Sequence, residues 1–305
     1  MKFAYGMPFM SCPPNPAFLS GDAIGAIGAA AEAGGFHAAY VTDHPAPGEG
    51  WRRAGGHDAL DPFVALSFVA SATNELRLMT YLTILPYRNP FVLAKAAATL
   101  DRLSGGRLIL GLGAGYMEAE FNALGVDFDT RNPRFDEYVE VLKLAWTGEP
   151  VTYDGEFVQA RKVTAQPTPA QQPHPPLWLG GNSKLTRRRA AAWAQGWSPM
   201  PNPAQVAQYS HAPALESLDD LAAMIGHVRG LMEEARRSEP LDIMYVLPGV
   251  GHGGHSGAGT SEQLTAAREL AALGITWLAV NGEGDTVDEV VAHAQRVGNE
   301  VLARL

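Results

Sequence analysis

Along this chain, eight short apolar runs alternate with stretches of helical period, and this alternation limits the fold more than any motif does. The runs expected as strands are Lys2–Phe9, Ala38–Thr42, Leu76–Leu85, Arg107–Gly113, Leu177–Leu179, Gly196–Ser198, Ile243–Leu247 and Thr276–Val280. Most are continuously apolar rather than alternating, as parallel strands covered by helices must be. Helices are expected over Ser20–Gly35, Pro62–Ala72, Asn89–Leu100, Phe135–Trp146, Ser183–Ala194, Leu218–Arg237, Ser261–Leu273 and Asp285–Leu302. Ser20 and Asn89 supply N-cap oxygens, and Pro90 suits a first helical turn. Leu218, Leu221, Ile225, Val228 and Met232 form one apolar stripe at helical spacing. Eight such units in 305 residues fit a (β/α)8 barrel. A doubly wound sheet with a second domain is the alternative, because periodicity does not show whether a sheet closes. Residues 1–305 are expected as one barrel domain with an insertion at about 117–176. That insertion holds the Phe135–Trp146 helix, a hairpin over Val151–Val163 turning at Asp154-Gly155, and the Pro-rich connector Gln166–Pro176.

Charge and residue counts remove several function classes. The net charge of −9 opposes binding to nucleic acid or an anionic membrane. No apolar run reaches the ~20 residues of a membrane span. The opening MKFAYGMPF passes straight into a strand-like run without a signal-peptide pattern, so a soluble, cytoplasmic protein is expected. Cys12 is the sole cysteine, which leaves neither an intrachain disulfide nor a thiolate zinc site. His37, His44 and His57 lack ligand spacing, and no H-x-H or H-E-x-x-H occurs, so no metal is expected.

A barrel places its chemistry where strands end. That rule selects Met7 and Pro8, Thr42-Asp43-His44, Thr83 to Pro86, Gly113 to Tyr116, Gly180 to Ser183, Met200, His252 and His255, and Asn281 with Glu283. Gly111-Leu112-Gly113-Ala114-Gly115 superficially mimics a dinucleotide fingerprint. The required sixth-position glycine is Tyr116 or Glu118, depending on the starting glycine, so that reading fails. Close packing of a glycine-lined strand on its neighbours is the other reading. Gly180-Gly181-Asn182-Ser183 joins a strand to a helix, where backbone N–H groups and the Ser183 hydroxyl can hold a phosphate. Simple helix capping by Asn182 or Ser183 explains the same turn equally well. Arg187, Arg188 and Arg189 follow, either partly toward that site or as a solvated face. Asp43-His44 offers an imidazole, the side-chain type whose unperturbed pKa lies nearest neutral pH. A satisfied structural histidine fits as well.

Four segments in order carry a resemblance: AAYVTDH, LTILPYRNPFVLAKAAATLDRLS, LDRLSGGRLILGLGAGYMEAEFNALGV and PHPPLWLGGNSKLTRRRAA. Together they resemble the luciferase-like oxidoreductases, in particular the branch described as probable coenzyme F420-dependent oxidoreductases. The likeness runs from Met1 to about Trp197 and is looser from Ala204 to Leu305. It implies a TIM barrel, usually a homodimer, that holds coenzyme F420 or, alternatively, FMN. The expected chemistry is hydride transfer or monooxygenation of a small organic substrate. The resemblance places His44 near the reacting ring atom as the proton-handling residue, with Asp43 supporting it. Thr83 and Ile84 fall on a strand-three bulge behind the ring, which often contains a non-proline cis peptide. Gly113, Ala114 and Gly115 fall at the strand-four edge beside the cofactor. Tyr116 stands where many relatives carry tryptophan and still allows ring stacking. Gly180, Gly181, Asn182 and Ser183 fall on the phosphate loop. A non-redox barrel lyase or isomerase acting on a phosphorylated substrate needs a strand-end lysine or an acid pair, and neither is evident. A non-catalytic flavin-binding relative is the third reading.

Overall fold

Continuously apolar strands joined by amphipathic helices can bury both strand faces only by running parallel, with the helices outside. The computed structural model, which describes residues 1–205, 207, 212–247 and 259–305, has this arrangement. Eight parallel strands close on themselves: β1 (Lys2–Gly6), β2 (Ala38–Val41), β3 (Arg77–Thr80), β5 (Leu108–Gly113), β8 (Leu177–Gly180), β9 (Gly196–Ser198), β10 (Asp242–Val246) and β11 (Trp277–Asn281). Pairing of β11 with β1 joins the two ends of the chain's order, so the sheet is a barrel and not an open, doubly wound sheet. The lumen is filled by Ala4, Ala38, Met79, Ile109, Trp178, Met244, Trp277 and Ala279, all buried. It is a packed core and not a pore.

Helices α1 (Gly21–Ala33), α2 (Glu49–Arg53), α3 (Pro62–Ala72), α4 (Pro90–Leu103), α5 (Glu118–Ala123) and α6 (Arg131–Trp146) precede β8. Helices α7 (Lys184–Trp193), α8 (Leu218–Glu234), α9 (Thr260–Leu273) and α10 (Val287–Glu300) follow it. The expected caps form: Ser20 Oγ accepts from Ala23 N at 3.2 Å, and Asn89 Oδ1 accepts from Phe91 N at 3.0 Å. The short helices α2 and α5 lie where only loop was expected. α6 begins four residues earlier than expected, with Pro133 in its first turn, where a missing N–H costs nothing. Leu218 departs from the expected buried stripe and is 41% exposed, because it opens α8 at the rim.

The insertion between β5 and β8 is tied down by buried or backbone-bonded carboxylates. Strands β6 (Val151–Asp154) and β7 (Gln159–Val163) form the expected hairpin. Glu137 of α6 accepts from the backbone N–H groups of Glu156, Phe157 and Val158 at the hairpin turn. Fully buried Asp101 of α4 accepts from Gln171 N at 2.9 Å and Gln171 Nε2 at 2.7 Å, which anchors the proline-rich connector.

The run expected as a single strand, Leu76–Leu85, is broken. The Tyr81–Leu82 peptide is cis, and a short strand β4 (Thr83–Ile84) resumes beyond it. Met79 pairs with Ile109 and Thr83 with Leu112, so the β3–β4 side takes four steps where β5 takes three. The extra residue is a bulge. Leu82 fills the space left by three glycines: a Cβ on Gly111 or Gly180 would strike it, and one on Gly113 would meet it at 3.4 Å. A Cβ on Gly111 would also drive into the Thr80 carbonyl oxygen, which is backbone and cannot swing aside. Gly111→Ala is therefore expected to destabilise the protein by about 2–3 kcal/mol, the scale of overpacking in a dense core. Denaturant unfolding checks this, and unchanged stability would contradict the close packing of bulge and strand.

Candidate functional site

Parallel strands put all their C-terminal ends on one rim, and the residues of interest gather there. Thr42, Asp43 and His44 follow β2 directly. The His44 ring is nearly buried, with 10% of its side chain exposed, and its Nδ1 lies 3.4 Å from Glu120 Oε2. Glu120 belongs to α5 and also accepts from Ala46 N at 3.3 Å. The sequence reading did not single out this carboxylate. Glu120 and Phe121 of α5 and Met117 just before it are all buried, so an acid set among apolar residues at helical spacing was the available signal.

Asp43, the expected supporter of His44, makes other contacts. Its Oδ2 accepts from Ile84 N at 3.2 Å and from Arg88 Nε at 3.1 Å, and its Oδ1 accepts from Arg88 Nη2 at 2.7 Å. Burial raises the Asp43 pKa; the Arg88 guanidinium and the Ile84 N–H pull it back only in part. The carboxylate beside His44 is thus Glu120, while Asp43 serves the bulge. Arg88 is the second residue that the sequence reading passed over.

Three further rings surround His44. Its centroid lies 4.7 Å from Trp51, 5.0 Å from His57 and 6.4 Å from Tyr116. Trp51 stands on α2, and the bare Cα of Gly56 packs closely against its ring. Arg52 clasps Asp58 with two bonds of 2.8 Å and also holds Glu49, while Arg53 holds Glu49 at 2.9 Å. These two arginines organise the loop and do not present free charge to the rim.

Glycine-lined β5 brings Gly113, Ala114 and Gly115 to the rim beside Ile84. A Cβ on Gly115 would lie 2.8 Å from Ile84 Cγ2 and 2.6 Å from the Phe121 ring, and its φ of +81° also favours glycine. Tyr116 is 40% exposed. Two buried hydroxyls at this rim, Thr42 Oγ1 and Thr83 Oγ1, have no hydrogen-bond partner among the described residues. Across the rim, Tyr81 Oη donates to Ser198 Oγ at 2.7 Å, and Ser198 Oγ donates to the Met244 carbonyl at 3.0 Å. Tyr40 Oη donates to Asn281 Oδ1 beneath them.

Gly180 to Ser183 form the turn into α7. Ser183 is the N-cap: its Oγ accepts from Thr186 N at 3.0 Å. Asn182 is buried and is not the cap. Its Nδ2 donates to the Met200 carbonyl at 2.8 Å, and its Oδ1 accepts from Met200 N at 2.9 Å. Gly181 adopts φ +114°, and a Cβ there would meet nothing nearer than 3.8 Å. The arginine run divides. Arg188 is exposed, Arg189 forks onto Asp136 at 2.7 and 2.8 Å, and buried Arg187 has an Nε without a partner among the described residues. His252 and His255 lie outside the described residues.

If the Arg52–Asp58 clasp holds α2 against His44, Asp58→Asn should loosen it. Tryptic cleavage after Arg52 and Arg53 is then expected to speed up several-fold in the folded protein. An unchanged cleavage rate would show that the ring cluster alone keeps α2 in place.

Comparison with known proteins agrees with this geometry. The luciferase-like monooxygenase family model matches residues 14–252. An uncharacterised protein of Mycobacterium tuberculosis is 34% identical over 180 residues, covering 53% of this chain and 64% of the relative. The oxygenase component of a flavin-dependent trigonelline monooxygenase from Acinetobacter baylyi is 33% identical over 151 residues, 49% of this chain and 40% of the relative. The chain thus spans less than two thirds of the length of these curated relatives. Among solved structures, the monooxygenase RslO1 from Streptomyces bottropensis superposes with a TM-score of 0.82 at 20% identity, covering 100% of this chain and 99% of that one. An F420-dependent secondary alcohol dehydrogenase superposes with a TM-score of 0.72 at 15% identity, covering 99% and 98%. The closed parallel barrel, its bulged third strand and the family model matching most of its length agree: the chain belongs to the luciferase-like monooxygenase family.

Proposed function

We propose that this chain is an oxidoreductase that uses coenzyme F420, or alternatively reduced FMN, to transform a small organic substrate at the C-terminal rim of its barrel. The observation that carries this reading is the His44–Glu120 pair set against a rim with unpaired buried hydroxyls. The residues present fit a flat cofactor with a phosphate-bearing tail. Thr42 and Thr83 offer hydroxyls that need a partner, since a buried polar group without one costs about 1–3 kcal/mol. Thr83 and Ile84 back the ring, and Gly113, Ala114, Gly115 and Tyr116 flank it. Gly180 to Ser183 receive the tail at the start of α7, where first-turn N–H groups lack intrahelical acceptors and the open space at Gly181 admits a phosphate.

Bound there, the cofactor supplies hydride or activates oxygen; the chain supplies orientation, proton handling and water exclusion. A carboxylate facing Nδ1 holds the proton on that nitrogen, which leaves His44 Nε2 to take or give a proton. Apposed at 3.4 Å, the pair is loose enough to tighten on binding. Trp51, His57 and Tyr116 wall the His44 side against solvent. The relatives' own names include both a flavin-dependent and an FMNH2-dependent monooxygenase, and the fold neighbours include F420-dependent enzymes.

Residues 1–305 act as one barrel unit with its insertion at about 117–176, in the cytoplasm. Among the described residues no helix is long and apolar enough to cross a membrane. A homodimer is proposed through α3, which has no charged residue in its 11 positions. Its outer side chains Val64 and Phe68 are 62% and 45% exposed, with Val92 of neighbouring α4 at 69%. Apolar side chains left on the outer face of an uncharged helix favour cover, and a second copy of the same helix supplies it symmetrically.

The functional reading is tested by titrating the purified protein with FMN and with F420 in parallel and following cofactor fluorescence. Saturable binding of one is expected, and His44→Asn should keep that binding while lowering turnover by ~10²-fold or more. Binding of neither cofactor would refute the reading. For the dimer, Phe68→Glu is expected to halve the sedimenting mass, and a monomeric parent protein would refute it.

A further inference from the structure

Arg88 joins two parts of the molecule that the barrel alone does not connect. Its Nε and Nη2 fork onto Asp43, whose side chain is 2% exposed, and Nη2 also reaches Asp61 Oδ2 at 3.4 Å. Asp61 in turn caps α3, its Oδ1 accepting from Phe63 N at 3.0 Å and Val64 N at 3.1 Å. Asp43 Oδ2 accepts from Ile84 N in the bulge. A chain of contacts therefore runs from the N-terminus of α3 through Arg88 and Asp43 to the backbone of β4. Both carboxylate oxygens of Asp43 are engaged in it.

We infer that Arg88 is a positioning residue: through Asp43 it holds Ile84 and Thr83 in the place where they back the cofactor ring, and it fixes that place relative to α3. The inference rests on the cofactor reading above. A guanidinium suits this task because its planar fork meets both carboxylate oxygens while a third contact reaches Asp61. Lysine offers a point charge without the fork and cannot satisfy the same geometry. Asp43 is buried, so removing its partner leaves a charge without compensation and frees the bulge. The Ile84 amide, one step from the rim, is the reporter of that freedom.

The test uses Arg88→Ala, Arg88→Lys, Asp43→Asn and the double variant Asp43→Asn/Arg88→Ala. Two measurements are made: titration with FMN and F420, and amide exchange by mass spectrometry over the peptide containing Ile84 in protein without cofactor. Arg88→Ala is expected to weaken whichever cofactor the parent binds by about tenfold, with tens of millimolar guanidinium ion restoring it and Arg88→Lys failing to. The double variant should bind no worse than Arg88→Ala alone, because residues acting as one unit are not additive. Exchange over Ile84 should speed up in Arg88→Ala and in Asp43→Asn while distant peptides stay protected. Parent-like affinity in Arg88→Ala, additive losses, or unchanged Ile84 exchange would each overturn the inference. If the parent binds neither cofactor, the functional reading fails, and a parent-like exchange rate then refutes the clamp by itself.

Discussion

A parallel barrel closes only if each strand keeps register with both neighbours, and here one strand carries a residue too many. The bulge between β3 and β4 is absorbed because β5 and β8 present glycines where Leu82 comes down. Any side chain at Gly111 would push back on the Thr80 carbonyl, and the β3–β5 seam would part. The rest of the rim follows from that accommodation. It turns Tyr81 toward Ser198, carries Thr83 and Ile84 to the strand ends, and sets the Ile84 amide where Asp43 meets it.

Two buried carboxylates then divide the work at the rim. Each would be expensive to bury without a partner. Asp43 takes a permanent cation, Arg88, together with a backbone N–H, so both of its carboxylate oxygens are held. Glu120 faces an imidazole, His44, at a longer contact of 3.4 Å. The distinction comes from the partner and not from the carboxylate.

Much of the architecture could be read from residue order. The order of the eight strand–helix units, the caps at Ser20 and Asn89, and the hairpin near Asp154-Gly155 all rest on local rules of period and capping, and that order, those caps and that hairpin form, although the third strand is broken by its bulge. The glycines of Gly111–Gly115 pointed to a close approach, and the structure shows that Leu82, Ile84 and Phe121 are the groups approaching. Glu120 and Arg88 were harder to see. Glu120 lies 76 residues from His44 and Arg88 lies 45 from Asp43, so neither pairing has a local signature.

The sequence by itself determined the fold class, the family and the set of strand-end residues, because apolar period and strand order depend on near neighbours along the chain. Tertiary structure alone decided which acid serves His44, which guanidinium serves Asp43, and that Asn182 braces Met200 instead of capping α7. Those choices depend on which helix N-termini and loops the closed barrel brings to one rim, and closure is a property of all eight strands together.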